Sequence, residues 1–216
     1  MIPPEAWPEP IRQEPIRANF TSTFDGRSIV KTPSPETSAP FTTLREALGD
    51  LPSLKNGERG EKVKPYACDA QCDYQRAMRI GSDGVTNHEA GRLSKINMER
   101  IKYIKQGGNW TDIPIEMLPK GMQRARRTDH TKRYGRTPWS EISSTILTKC
   151  DPHWGAFFHP EQDRAFTVRE AARIQSFPDR YEFVGAMAEQ YAQVGNAVPP
   201  MLAAAVGASL RNILGK

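Results

Sequence analysis

The three cysteines are the first residues whose chemistry has to be considered. Cys68 and Cys72 are separated by three residues, with His88 further along the chain, and this spacing is permissible for a structural zinc site. A second pair of ligands at comparable spacing is missing, so we predict that no metal is bound. An odd number of cysteines cannot form a closed set of disulfides, and we expect reduced thiols, Cys150 included.

A basic segment lies between residues 101 and 136. It contains nine Lys and Arg residues against three acidic ones, a net charge of +6, whereas the whole chain carries +5. Its densest part mixes arginines with threonines and a tyrosine, which suits contacts to phosphates and base edges. A run of charges is also typical of a solvated surface loop, so both interpretations stay open. The basic residues that we assign to nucleic-acid binding are Arg124, Arg126, Arg127, Lys132, Arg133 and Arg136.

The composition sets limits on the kind of protein. The 216 residues are enough for one domain, 38% of them are hydrophobic, and the mean hydropathy is −0.63. No apolar run approaches the roughly 20 residues that span a bilayer. The N-terminus has neither the basic start nor the apolar stretch of a signal peptide. We therefore expect no membrane partner.

The elements that must position the basic residues are few. Residues 1–40 hold eight of the 18 prolines, which predicts an extended linker with one short strand near residues 28–30. Capping boxes predict a helix over 44–51 and another that begins after Thr167 and ends before Pro178. Apolar spacing predicts a helix over 95–106, capped by Ser94.

The remaining predicted elements are a strand and a last helix. Alternating residues predict a short strand over 144–148, and a final helix begins at Pro199 or Pro200. Residues 109–140 are aperiodic. So few helices and such long aperiodic stretches are typical of a piece of a larger fold.

Two strings in the C-terminal third are long and specific. The first is His159-Pro-Glu-Gln-Asp-Arg-Ala-Phe-Thr-Val-Arg-Glu-Ala-Ala-Arg-Ile-Gln-Ser-Phe-Pro-Asp179, and the second is Gln193-Val-Gly-Asn-Ala-Val-Pro-Pro200. In this order and at this separation they resemble the last two signature motifs of the DNA (cytosine-5)-methyltransferases. Shorter segments at 43–52, 107–114 and 134–148 are similar to earlier parts of the same family.

The resemblance implies an α/β fold. It would consist of a target recognition domain and the C-terminal closing helices of a Rossmann-like methyltransferase that uses S-adenosyl-L-methionine, incomplete in this chain. We accordingly expect a linker over 1–42, a target recognition domain over 43–158 and a return to the catalytic domain over 159–216. Members of the family flip a cytosine out of duplex DNA and attack it with a Pro-Cys thiolate before methyl transfer.

The chain departs from the family in its first half. It has no Gly-x-Gly, no Glu-Asn-Val, and none of its cysteines follows a proline, so we assign no catalytic residue. We expect an N-terminal methyltransferase half or subunit to supply these parts. A split enzyme, a truncated gene and a misplaced start codon are all compatible with this pattern. The implied setting is the cytoplasm of a bacterium with a restriction-modification system, or a eukaryotic nucleus.

The resemblance assigns the remaining site residues. Asn196, Ala197 and Val198 would border the methionine end of the cofactor, although an Asn at this place is also a good helix N-cap. Thr145 and Thr148 would lie beside the DNA, and Arg164 would reach a phosphate. Trp110, Trp139 and Trp154 are interpreted as core or interface anchors rather than as platforms on which bases stack. The rival hypothesis is a non-catalytic DNA-binding remnant or assembly module.

Overall fold

The structure is a computed structural model that describes residues 41–214 and the backbone of residues 23–24 and 27–28. Its contacts divide the chain into two units: residues 43–200 form one, and the flanking segments 1–42 and 201–216 form the other. The flanking unit contains strands β1 (Thr23–Phe24) and β2 (Arg27–Ser28), which pair antiparallel. Most of the predicted linker, and the predicted strand beyond Ser28, lie outside the described residues.

Helices are the main regular structure among the described residues, and long irregular stretches connect them. The helices are α1 (Leu44–Leu48), α2 (Asp73–Arg79), α3 (Lys95–Ile101), α4 (Lys120–Gln123), α5 (Val168–Ile174), α6 (Met187–Asn196) and α7 (Pro200–Ile213). Two short 3-10 turns lie at Trp110–Asp112 and Ile115–Met117. Within the described residues the only strands are β1 and β2, of two residues each, so this part of the chain carries no parallel sheet of its own.

Both predicted capping boxes are present. The Thr43 hydroxyl accepts a hydrogen bond from the Glu46 N–H at 3.3 Å, and the Glu46 carboxylate accepts one from the Thr43 N–H at 2.7 Å. Thr167 and Glu170 form the same pair of bonds at 3.1 and 2.7 Å at the start of α5. Helix α7 begins at Pro200, as predicted. These helix starts follow from local sequence because a capping box uses only four neighbouring residues.

Two predicted helices end earlier than expected. Helix α1 stops at Leu48 rather than residue 51, because the Leu51 N–H bonds the Leu48 carbonyl in a tighter turn. Helix α3 begins after Ser94, whose hydroxyl accepts from the Asn97 N–H, but it ends at Ile101 rather than residue 106. Beyond it the Gly107 N–H bonds the Arg136 carbonyl at 2.7 Å, so a distant segment takes over the backbone hydrogen bonding.

The strand predicted over 144–148 is wrong. Ile146 is buried between the exposed Thr145 and Leu147, but Thr148, which alternation would place on the same face as Ile146, is exposed as well. Among the described residues no segment pairs with this backbone as a strand. Helices α2, α4 and α6 were not predicted. Cys72, the residue before α2, makes no side-chain cap, and α6 starts after Ala186, which has no capping oxygen.

The larger unit has two hydrophobic clusters. The first packs α1 against α5 and includes Leu44, Leu48, Val168 and Ala172. The second lies around Trp110 and collects Ile101, Ile104, Ile113, Leu118, Met122, Tyr134 and Phe158. The basic segment 101–136 therefore contributes most of a core of its own, and this core is the base from which its charged side chains project.

Candidate functional site

The start of α5 is built around a buried ion pair. Both terminal nitrogens of Arg164 donate to the Glu170 carboxylate, at 2.8 and 2.7 Å, and both side chains are almost completely buried. Burial alone would raise the pKa of Glu170, but the charge and hydrogen bonds of Arg164 lower it well below its ordinary value. Arg164 is therefore a structural partner of the capping box. The expectation that it reaches a DNA phosphate does not fit this burial.

A second buried network ties α5 to the first helix. Arg173 donates to Asp179 at 2.6 Å through two nitrogens and to Asp50 at 3.1 Å. Burial would lower the pKa of Arg173, but the bonds to Asp179 and Asp50 raise it. Arg79 also donates to Asp50, through the Oδ2 atom that Arg173 shares. The network holds three separate stretches of the chain in one fixed arrangement: the residues after α1, the end of α2, and α5 with the turn that follows it.

Arg169 performs the same task towards the loop after α5. Its guanidinium donates to the carbonyl oxygens of Thr86, at 2.9 Å, and Tyr181, at 2.6 Å, and its side chain is fully buried. Because the Arg169 side chain is fully buried, it takes no part in a surface salt bridge. Arg169 fixes the path of the chain that leads to α6.

His159 and His88 lie beside this charged core. His159 accepts backbone N–H bonds from Glu161 and Gln162 through Nδ1, at 3.1 and 3.0 Å. Burial lowers the pKa of His159 to about 4, against the opposing charge of Glu170. Burial also lowers the pKa of His88, which bonds Thr167 and the Pro52 carbonyl. Both rings are buried and hydrogen-bonded within the fold.

The basic side chains of the segment are of two kinds: some are exposed to solvent, and one is buried in an ion pair. Arg124, Arg126 and Lys132 are exposed. Arg127 is exposed as well, with its guanidinium 5.5 Å from the centre of the Trp110 ring. Arg136 is buried and pairs with Asp163 at 2.6 Å, so the expectation that it binds DNA does not fit the structure.

The region around residues 145–148 presents polar side chains to solvent. Thr145 and Thr148 are both exposed, on either side of the buried Ile146. This segment is also the support for the predicted cofactor loop. A Cβ added to Gly195 would lie 2.5 Å from backbone atoms of Leu147 and Thr148, so only glycine fits there.

The predicted cofactor residues lie at the end of α6. Asn196 is the last residue of that helix, so it is not the N-cap of α7, which begins four residues later. Val194 is completely buried, whereas Asn196 and Val198 are exposed, Val198 at 63%. The buried Val194 and the close contact at Gly195 fix the end of α6. The amide of Asn196 and the side chain of Val198 are therefore exposed to solvent.

The three described tryptophans differ in exposure. Trp110 and Trp139 are buried, which fits the core alternative, whereas Trp154 is 56% exposed, which excludes a core position for it and leaves the interface alternative. Its ring lies under the Arg133 guanidinium, 5.0 Å from the ring centre, and against the edge of His153. The preceding Asp-Pro-His residues are typical of a turn, and this signal in the sequence could have indicated an exposed ring.

The three cysteines differ in their exposure to solvent. Cys150 is buried, and burial raises the pKa of its thiol. Cys68 is exposed and Cys72 is half-buried. Among the described residues, no group of three or more His, Cys, Asp or Glu side chains could hold a metal ion. No described helix is long and apolar enough to cross a membrane.

Comparisons with known proteins identify the same family as the two C-terminal strings, residues 159–179 and 193–200, do. Residues 22–212 match the sequence model of the C-5 cytosine-specific DNA methylase family. DNA (cytosine-5)-methyltransferase 1A of Oryza sativa is 33% identical over 96% of this chain, which covers 15% of that protein. The type II methylase M.HgiDII of Herpetosiphon aurantiacus is 31% identical over 84% of this chain, which covers 47% of it.

A solved structure shows the same fold. A prophage-encoded E. coli protein, described as a DNA modification methyltransferase, superposes with a TM-score of 0.58 at 20% identity, over 86% of this chain and 50% of that one. The chain therefore belongs to the C-5 cytosine-specific DNA methylase family. It spans less than half the length of the curated relatives reported above.

Proposed function

We propose that this chain is the C-terminal part of a DNA (cytosine-5)-methyltransferase, which transfers a methyl group from S-adenosyl-L-methionine to C5 of cytosine in duplex DNA. The chain supplies DNA recognition and part of the cofactor pocket. The observation that carries the proposal is the exposure of Asn196 and Val198 where α6 ends, while Ala197 between them packs on the hydrophobic cluster that contains α5. Buried ion pairs hold α5 in place. Sites on rigid supports keep their side chains in place for a ligand.

The loop fits one side of a cofactor site. Asn196 offers an amide that both donates and accepts hydrogen bonds, and Ala197 and Val198 offer small apolar groups. S-adenosyl-L-methionine supplies the methyl group when it is bound. The residues of this chain would hold the methionine end of the cofactor, and the loop keeps its position because Gly195 packs directly on the 147–148 backbone.

The nucleophile belongs to another part of the enzyme. Cys150 is buried with a raised pKa, and neither Cys68 nor Cys72 follows a proline. An N-terminal methyltransferase half, as a subunit or as a longer chain, would provide the Pro-Cys thiolate and the glycine-rich cofactor loop. The same proposal includes domain limits at 42/43 and 158/159. It also includes a location in the bacterial cytoplasm or in a nucleus.

The proposed DNA-binding surface consists of side chains that are exposed or, for Arg133, half-buried. We assign Arg124, Arg126, Arg127, Lys132 and Arg133 to phosphate contacts and Thr145 and Thr148 to the adjoining groove, and we remove Arg136 and Arg164 from the set. Arginines near phosphates release counterions, which makes affinity depend on salt. A non-catalytic DNA-binding module would share this surface, so methyl transfer by the completed enzyme separates the two functions.

The test is the salt dependence of duplex binding by the full chain. Replacing Arg124, Arg126 and Arg127 by Gln should weaken binding to all duplexes alike. It should also lower the log–log salt slope by about 0.9 for each phosphate that the variant no longer neutralises. Lys55, Arg59 and Lys62, exposed basic residues outside the segment, give a matched triple variant with the same reduction in charge. Equal slopes in the two triple variants would refute the DNA surface at 124–133.

A further inference from the structure

The exposed indole of Trp154 is not explained by packing. A tryptophan side chain buries about 150–250 Å² when it is enclosed. The Trp154 residue instead leaves 56% of its surface in solvent, whereas the other two tryptophans among the described residues are buried. The position of Trp154 is therefore a specific feature of this turn and needs a cause.

A rigid frame holds the turn that carries the ring. The Trp154 N–H bonds the Asp151 carbonyl at 3.0 Å, and the His153 N–H bonds the Asp151 carboxylate at 2.9 Å. The Tyr134 N–H bonds the Pro152 carbonyl at 2.6 Å, and its hydroxyl lies 3.1 Å from Nδ1 of His153.

The frame extends into the hydrophobic core. Tyr134 is only 2% exposed and belongs to the cluster around Trp110. Its hydroxyl also accepts a hydrogen bond from Arg100 at 3.3 Å. The turn is thus anchored to the core of the basic segment, and the indole is presented from a fixed base.

One cation lies directly on the ring. The Arg133 guanidinium is 5.0 Å from the centre of the Trp154 indole, and Lys132, the preceding residue in the chain, is exposed. The Asp151 carboxylate of the same turn is used within the turn, where it accepts the His153 N–H. An indole beside a guanidinium group matches a ligand that combines a flat aromatic face with negative charge. A nucleic-acid base with its phosphate has both properties.

We propose that Trp154, braced by Arg133, is the platform on which a base of the DNA substrate stacks. This inference rests on the proposed function and goes further, because it assigns a non-electrostatic contact to a named residue. Stacking uses the face of an unpaired base, so the contact favours duplexes in which one base has left the stack. Tyr134 and His153 are positioning residues, since they act on DNA only through the turn.

The experiment measures binding of the full chain to two duplexes, one fully paired and one with a single unpaired base. Trp154→Ala should weaken binding to the unpaired-base duplex about tenfold and to the paired duplex less, because stacking requires a free base face. The salt slope should stay unchanged, since the phosphate-binding side chains are all retained. Tyr103→Ala, which removes another exposed aromatic ring, should leave both affinities unchanged.

Tryptophan fluorescence gives a second readout. DNA should quench the emission of the wild-type chain, and Trp154→Phe should remove most of that quenching while it keeps most of the affinity. Trp154 is exposed, so neither variant removes core packing, and unchanged thermal midpoints should verify that both fold.

Three outcomes would overturn the inference. The first is that Trp154→Ala binds both duplexes with wild-type affinity, while replacing the arginines at 124–127 still lowers the salt slope. The DNA-binding surface would then be supported without the stacking interaction. The second is an equal weakening on both duplexes, which would place the ring on the backbone rather than on a base. The third is no DNA binding by the wild-type chain, which would refute the proposed function as well.

Discussion

At the scale of single residues, the buried charges around α5 are the most consequential feature. Arg164, Arg169 and Arg173 are all fully buried, and all three are paired or hydrogen-bonded on several sides. Breaking such a pair leaves an uncompensated charge in a medium of low dielectric constant, and this costs much more than breaking a surface pair. The arginines of the signature string are therefore explained by folding rather than by binding to DNA.

Arg164→Met should lower the free energy of unfolding by about 3–5 kcal/mol, because Glu170 then remains charged and buried without its partner. Arg76→Met breaks the exposed pair between Arg76 and Asp73 and should cost less than about 1 kcal/mol. Urea unfolding of both variants measures the two values. Equal costs would show that the Arg164 pair is not structurally important.

The buried histidine His159 should make stability depend on pH. Its pKa is about 4 in the folded chain and about 6.5 when unfolded, so the unfolded state binds the extra proton first. Stability should be full above pH 6.5 and should fall as the pH is lowered towards 4, with a slope of up to about 1.4 kcal/mol per pH unit from this residue. His88, whose pKa is also lowered, adds to the same trend.

Urea unfolding between about pH 7 and about pH 4 checks this slope. His159→Gln should flatten it, because the ring that resists protonation is gone. His130→Gln changes an exposed histidine and serves as the control. If both variants keep the wild-type slope, another group causes the acid sensitivity.

At the scale of elements, the helix starts were predicted and several helix ends were not. Thr43 and Thr167 carry their capping partners within three residues, so the sequence alone contains the whole interaction. The end of α3 depends on Arg136, which is distant in the sequence, and the segment 144–148 pairs with no strand among the described residues. Hydrogen bonds between distant segments decide such features, and hydrophobic periodicity does not report them.

The same distinction applies to the candidate site. Asn196, Val198 and the arginines at 124, 126 and 127 are exposed, as a role in ligand binding requires. Arg136 and Arg164 are buried instead, because they pair with Asp163 and Glu170, partners that periodicity does not identify. The sequence tells which residues carry a charge. Tertiary packing decides which of those charged side chains are exposed to solvent.

The support of the cofactor loop gives a prediction for the element α6. Gly195→Ala should destabilise the chain and displace residues 196–198, because the new Cβ would meet the backbone of Leu147 and Thr148 at 2.5 Å. Gly207→Ala in α7 meets nothing within 4 Å and should stabilise by up to about 1 kcal/mol, since Ala favours helix. Thermal unfolding of the two variants, compared with wild type, measures the difference. A Gly195→Ala variant as stable as wild type would contradict the close approach.

At the scale of the whole molecule, α7 exposes an apolar side. Leu202, Val206, Leu210 and Ile213 recur at helical spacing, and each is at least 37% exposed. Fully burying four such side chains would contribute roughly 6–12 kcal/mol, which is comparable to the stability of a whole domain. The chain spans 47% of the bacterial relative M.HgiDII. A methyltransferase half that completes the enzyme is the partner that we expect to cover this side.

The purified chain alone should therefore transfer no methyl group to DNA and should associate with itself. Co-expression with the N-terminal half of a related enzyme should replace self-association by a complex of the two parts and should restore activity. In that pair Val206→Gln should reduce the recovered activity, because it places an amide in the apolar interface. Ala208→Gln, on the other side of α7, should not. Transfer of labelled methyl groups and size-exclusion chromatography measure both effects.

Within the same pair, Asn196→Ala separates the cofactor role from the DNA role. It removes an exposed amide at the end of α6 and leaves the arginines of residues 124–133 unchanged. The apparent affinity for S-adenosyl-L-methionine should fall while DNA affinity stays nearly constant. A fall in DNA affinity with unchanged cofactor affinity would refute the cofactor assignment of the Asn196–Val198 loop. Methyl transfer by the unaccompanied chain would refute the larger proposal that half of the active site lies elsewhere.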